Sequence, residues 1–173
     1  EHYTEAGIRV IRLQNIGVGE FLDEDHAYVS EAHFATLRKH ECRPGDVVVG
    51  TLGDPNLRAC IVPENIGRAI NKADCVQIRV DKSVATPEFV SAMLNIPSLE
   101  HKAQDKILGQ TRSRISMGRL KTLIVPRPPL EQQKAFSKIV VALEGEKQKI
   151  KKYGERLDAL FTSLQHRAFR GEL

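Results

Sequence analysis

Long apolar runs are missing from this 173-residue chain. No window approaches 18 consecutive apolar residues, which excludes a membrane-spanning helix. No basic segment followed by a short apolar stretch opens the chain, so no secretory leader is recognisable. The first residues are Glu1, His2 and Tyr3 rather than methionine, which suggests a piece of a longer polypeptide or a processed start. Cysteine is scarce: Cys42, Cys60 and Cys75 are odd in number and lack C-x-x-C spacing. That arrangement supports neither a disulfide framework nor a zinc site. It predicts reduced, small apolar residues in a cytoplasmic protein.

Catalytic signatures are missing as well. The chain has no G-x-x-x-x-G-K-[ST], no G-x-G-x-x-G and no H-E-x-x-H. The six histidines (2, 26, 33, 40, 101 and 166) do not cluster at metal-ligand spacing. Asp23, Glu24 and Asp25 are consecutive, so they point in different directions on any regular element and predict a solvated loop rather than a cation site. No nucleophile stands beside a recognisable base. The residues favour binding over catalysis, and no catalytic or metal-ligating residue is assigned.

What is present is an ordinary soluble composition, 41% hydrophobic and 28% charged, enough for a packed core. The charge is unevenly spread. Residues 1–100 hold 10 Lys/Arg against 15 Asp/Glu, while residues 101–130 hold 7 against 1. A basic block of this kind suits either attraction to a polyanion or a solvated basic face.

The first 130 residues pattern as short strands with turn punctuation. Ile8 to Leu13 nearly alternates, as a half-buried strand does. Arg43-Pro44-Gly45-Asp46 has Pro and Gly at the central positions of a type II turn. It leads into the β-branched run Val47-Val48-Val49, typical of a buried strand. Gly53 to Asn56 marks another turn, and Ala59–Val62 and Cys75–Val80 pattern as strands. Thr86 is a candidate N-cap, with Pro87 in the first helical turn and Phe89, Val90, Met93 and Leu94 facing inward. A second helix is predicted from Ser98 towards Ile107, then a polar loop from Gly109 to Arg114. The expected class is α+β: a globular domain with a curved mixed or antiparallel sheet and short helices, followed by one long C-terminal coiled-coil-forming helix.

That helix begins after three prolines. Taking every third or fourth residue from Phe136 gives Phe136, Val140, Leu143, Lys147, Ile150, Gly154, Leu157, Phe161, Leu164 and Ala168, eight of them apolar. This 4-3 alternation is a heptad seam, and it predicts pairing through Phe136, Val140, Leu143, Ile150, Leu157, Phe161 and Leu164. Gly145 and Gly154 each cost about 1 kcal/mol relative to alanine, so a break into two shorter helices is the alternative. The boundary expected between globular domain and helix lies at 128/129. The stretch LIVPRPPLEQQ, residues 123–133, is expected to end a last strand at Pro126 and to form a stiff corner at Pro128 and Pro129.

Residues 123–133 closely resemble the strand–Pro-Pro-Leu-x-Glu-Gln junction in specificity subunits of type I restriction–modification systems. The C-terminal stretch LFTSLQHRAFRGEL, residues 160–173, is similar to the end of that family's long helix, where Ala-Phe-x-Gly-x-Leu recurs. Arg43 to Val49 and Gly109 to Arg112 also resemble the family's target recognition domain, which is otherwise similar only in outline. The resemblance implies a target recognition domain and one conserved helix. Full-length members carry two of each, so the chain would be a half-length subunit or a fragment. It further implies a non-catalytic subunit that selects double-stranded DNA. Methyltransferase (M) subunits would then modify adenine and a restriction (R) subunit would cleave. The helix would self-associate or pair with a second conserved helix. S-adenosylmethionine, ATP and magnesium would belong to those partner subunits, and the methyltransferase motif Asn-Pro-Pro-Phe/Tyr is absent here.

For such a role phosphates need Lys, Arg and backbone donors, and bases need Arg, Lys, Asn or Gln on loops able to enter a groove. Gln110, Thr111, Arg112, Ser113 and Arg114 meet both needs. Lys102 and Lys106 share a helix face as possible phosphate holders. Arg58, beside Asn56, and Asn71 and Lys72, near Arg68, lie at turns. Each has a plain alternative as solvated surface. The competing functional class is an assembly module whose helix dimerises and whose globular part docks a protein, with no DNA contact.

Overall fold

The structure, a computed structural model, describes residues 2–53, 57–99 and 114–172. The chain divides into two compact units, Glu1–Gln133 and Lys134–Leu173.

The first unit is α+β with a mixed sheet and short helices, as expected, and its strands divide between two sheets. Strands β1 (Tyr3–Thr4), β2 (Ile8–Ile11), β3 (Tyr28–Val29), β4 (Glu41–Cys42) and β7 (Ala69–Asn71) make a five-stranded sheet in the order β1-β3-β2-β7-β4. It is mixed, because β2 and β7 run parallel while its other pairs are antiparallel. Strands β5 (Val47–Gly50), β6 (Ala59–Ile61) and β8 (Cys75–Ile78) make an antiparallel sheet with β5 in the centre.

The alternation of side chains explains how the layers stack. Val47 and Val49 of β5 enter a core with Ala59, Val76, Met93 and Leu94. Val48 points the other way, into a core shared with Ile11, Cys42, Cys60 and Ala69. Strand β2 splits likewise: Ile11 joins that second core, while Ile8 and Val10 join a third with Val29, Phe34 and Ile70. Helix α1 (Glu31–Thr36) contributes Phe34 to the third core, and α2 (Pro87–Leu94) contributes Met93 and Leu94 to the first. A strand buried on both faces carries apolar residues without alternation, and all four residues of β2 and of β5 are buried. The near-alternation at Ile8–Leu13 therefore disguises a fully buried strand, in which Arg9 is the polar exception.

Several local expectations hold. Gly45 adopts φ +82°, and Asp46 N donates to Arg43 O at 3.0 Å, as a type II turn requires. Thr86 caps α2 by accepting from Phe89 N, and Pro87 opens the helix. Two expectations differ. Leu123–Val125 forms no strand, and Ile124 is 89% exposed, so no ladder partner takes up the run before Pro126. Asp23 and Asp25 are not merely solvated: Asp23 pairs with Arg9 at 2.6 Å, and Asp25 pairs with Arg12. The acidic loop thereby neutralises two arginines of the buried strand and its end. The predicted helix beyond Leu99 and the loop up to Ser113 lie outside the described residues.

A short α3 (Met117–Leu120), capped by Ser116, precedes the proline corner. The long helix α4 then runs unbroken over 40 residues, Leu130–Phe169, through both Gly145 and Gly154. Its one buried residue is Gln133. Within the first unit, Gln133 donates to Pro128 O at 2.8 Å and Val84 O at 3.4 Å and accepts from Thr86 N at 3.2 Å. The first turn of the helix is thus part of the globular unit.

Candidate nucleic-acid interface

The described part of the basic block begins at Arg114, which closes an isolated antiparallel bridge with Leu52, just past the end of β5. Ile115 N donates to Thr51 O at 3.0 Å and anchors the return, with Ile115 fully buried. Thr51 in turn donates from its N–H and hydroxyl to Asp74 O. Asp74 carries the ion pair to Arg114, at 3.2 Å, and the Arg114 side chain remains half exposed. Lys72 lies in the same β7–β8 turn, and Asn71 is the last residue of β7 before it. The structure therefore sets Arg114 against the turn beside Asn71 and Lys72, from which it lies far away in sequence.

Their surroundings differ. Lys72 is exposed, with Nζ 5.9 Å from the centroid of the Tyr3 ring. Asn71 is half-buried, and its amide donates to Cys75 O, closing the turn from inside. Arg58 lies on the β5–β6 connection, where Leu57 adopts φ +64° although it is not glycine and its side chain is fully buried. That left-handed residue costs roughly 1–2 kcal/mol. It reverses the chain so that Arg58 Nε donates to Ile16 O at 2.7 Å and Nη2 to Leu13 O at 3.3 Å. Gly50 lies against this side chain: a Cβ there would meet Arg58 Cγ and Leu13 Cδ2 at 3.3 Å. Arg58 thus braces the turn through carbonyls while leaving its charge near the same strand ends. Gln110, Thr111, Arg112 and Ser113, which lead directly into Arg114, lie outside the described residues, as do Lys102, Lys106 and Asn56.

At the opposite end of β5 sits a buried carboxylate. Asp46 accepts from Arg43 N at 2.8 Å, from Gln77 Nε2 at 3.0 Å and from Arg79 Nε and Nη2 at 3.0 and 2.7 Å. Burial alone would raise its pKa, but these bonds and the Arg79 charge outweigh it and hold the carboxyl below its ordinary value. Nothing in the sequence announced this, apart from Asp46 closing the Pro-Gly turn. Burial pushes the Cys42, Cys60 and Cys75 thiols up to about 12, so none is a nucleophile near neutrality. Among the described residues no group of three or more His, Cys, Asp or Glu is placed to hold a metal.

In the second unit most of the seam is exposed. Leu143, Ile150, Leu157 and Phe161 are between 58 and 69% exposed, with Leu164 at 40% and Phe136 at 37%. Val140 is half-buried. Exposed apolar residues at heptad spacing are the kind of face through which helices pair.

The fold, a two-sheet α+β domain followed by one long, apolar-striped helix, is similar to that of known structures. The HsdS subunit from Thermoanaerobacter tengcongensis matches with a TM-score of 0.61 and 20% identity, over 84% of this chain and 37% of that one. A chain from a study of complex assembly and conformational transition of the type I R-M system matches with a TM-score of 0.62 and 18% identity, over the same shares. In sequence, the chain is similar to the type I restriction enzyme EcoBI specificity subunit of Escherichia coli, 27% identical over 172 residues. That alignment covers 96% of this chain and 36% of the relative, so the chain spans little more than a third of the relative's length. No protein-family model matches the sequence. The resemblance carried by the proline junction and the helix end is thus found again in whole-chain similarity and in fold.

Proposed function

We propose that the chain is the DNA-reading part of a type I specificity subunit, one target recognition domain with one conserved helix. In this reading it selects a sequence in double-stranded DNA and directs adenine methylation and restriction by M and R subunits. It performs no chemistry itself, and S-adenosylmethionine, ATP and magnesium belong to those partners. The observation that carries it is the junction of Arg114 with the Lys72–Asp74 turn, which sets this one residue of the basic block at the end of β5 and the start of β8. The long similarity to a specificity subunit supports the same reading. Lys72 and Arg114 serve as phosphate or base contacts, with Arg112, Gln110, Thr111 and Ser113 immediately before Arg114 as the reading segment and Lys102 and Lys106 as further phosphate holders. The seam of α4 pairs with a second copy or with a second conserved helix.

The test is duplex affinity as a function of salt, measured on the chain assembled with its methyltransferase subunits. Each phosphate contact contributes roughly −0.9 to the slope of log K against log salt. Arg114→Ala and Lys72→Ala should each weaken binding and flatten that slope by about one contact. Unchanged affinity and slope in both variants would remove this surface from the interface.

A further inference from the structure

The turn that carries Lys72 also forms one lip of a surface cleft of about 400 Å³. This volume falls within the ~300–1,000 Å³ typical of small-ligand sites. Its floor is the apolar face of the five-stranded sheet, where Val10, Val29 and Ile70 lie on three adjacent strands. One wall comes from α1 and the turn after it, through His33 and Leu37. His2 stacks on His33 with ring centroids 4.2 Å apart and planes 17° from parallel. Tyr3 stands at the edge, with Arg12 and Lys72 each 5.9 Å from its ring centroid.

Three features of this lining define a ligand chemistry. It offers flat π faces, from Tyr3 and the stacked imidazoles, over an apolar floor. Its cation, Lys72, is exposed at the lip beside Tyr3. Among the described residues, none that lines it is Asp or Glu. An apolar slot with aromatic walls, a cation at the mouth and no carboxylate fits a planar ring tethered to an anion, and it disfavours cationic or purely aliphatic ligands. We propose that this cleft is a nucleotide site, in which a base lies against His33 and Tyr3 and its phosphate meets Lys72. The base has two possible sources, a nucleotide everted from the target duplex or a free nucleotide. An everted base would gain stacking in the cleft that offsets part of what it loses in the helix. The proposal depends on the DNA-reading function only for the first of these sources.

The test uses the full chain and two probes. In the first arm, the four deoxynucleoside 5′-monophosphates are titrated while the ring signals of His2, Tyr3 and His33 are followed by NMR, with inorganic phosphate as control. Saturable shifts with at least one nucleotide, absent with phosphate, are expected. Leu37→Trp, which fills the cleft, should weaken them at least tenfold. If that variant does not fold, His33→Ala removes one wall instead and should weaken them severalfold. In the second arm, a duplex bearing 2-aminopurine at successive positions is bound, and a rise in fluorescence that these variants abolish marks an everted base. Nucleotide shifts without that rise assign the site to free nucleotide. Silence in both arms, or equal shifts from inorganic phosphate alone, overturns the proposal. Failure of the DNA-reading function would show instead as no duplex binding, with the mononucleotide arm unaffected.

Discussion

The side-chain carbonyl of Gln133 accepts a hydrogen bond from the backbone N–H of Thr86 at 3.2 Å, joining residues 47 positions apart. Thr86 is also the N-cap of α2, so one amide links the start of the long helix to the start of the helix that covers the three-stranded sheet. Gln133 is 1% exposed, and its amide nitrogen is committed to Val84 O and Pro128 O. Gln133→Leu withdraws a buried amide from all three partners and should cost about 1–3 kcal/mol. The midpoint of denaturant unfolding of the globular unit measures this. An unchanged midpoint would make the amide dispensable.

Asp46 gives the fold a dependence on acid. Its folded-state pKa is lowered, so its ionised form contributes stability that is complete above the unfolded value, 3.8, and is lost as pH falls through the folded value. Thermal melts from pH 7 to pH 2 should show a decline concentrated in that acidic range. Asp46→Asn should be less stable at pH 7 and show a flatter decline. A variant whose profile parallels the parent's would assign the acid sensitivity elsewhere.

The seam predicts association. At micromolar concentration the chain should self-associate through α4, and Ile150→Asp combined with Leu157→Asp should leave a monomer. Burying charge in an apolar seam is strongly unfavourable. Sedimentation velocity reads the change, and circular dichroism should show lower helix content in the double variant, because an isolated helix of polar average composition depends on packing. Equal sedimentation of parent and variant would place the contact off this face.

The three thiols should be silent in the folded state. Cys42 and Cys60 are fully buried and Cys75 nearly so, each with its pKa raised to about 12. Maleimide or iodoacetamide at pH 7 should label none of them within minutes, and all three in denaturant. Rapid labelling without denaturant would show that the core between the two sheets opens readily.

Local chemistry was legible and long-range pairing was not. The type II turn at Arg43–Asp46, the Thr86-Pro87 helix start and the long helix α4 depend on residues close in sequence, and each appears where its pattern predicts. The division into two sheets depends on which strands pair: β2 joins β7 in parallel, while β8 joins β5. Short strands buried on both faces carry no alternation to reveal such choices. Leu123–Val125 has strand composition without a ladder, because β propensity cannot supply a partner. The candidate site was half legible. Arg114 and Lys72 were each nameable from charge and turn context, yet it is the Leu52–Arg114 bridge that sets Arg114 against the Lys72–Asp74 turn. Arg58, placed by its turn among the exposed candidates, proves to be held by backbone carbonyls. The hydrogen-bonding roles of Gln133 and Asp46 had no sequence signal beyond the motifs in which they sit.

The most direct measurement maps methylated adenines across the source genome with the gene intact, deleted and carrying Arg112→Ala with Arg114→Ala. Deletion should abolish methylation at one defined sequence motif and spare all others. The double variant should lose or alter methylation at that same motif. A methylation map unchanged by deletion would contradict the assignment of this chain to DNA sequence selection.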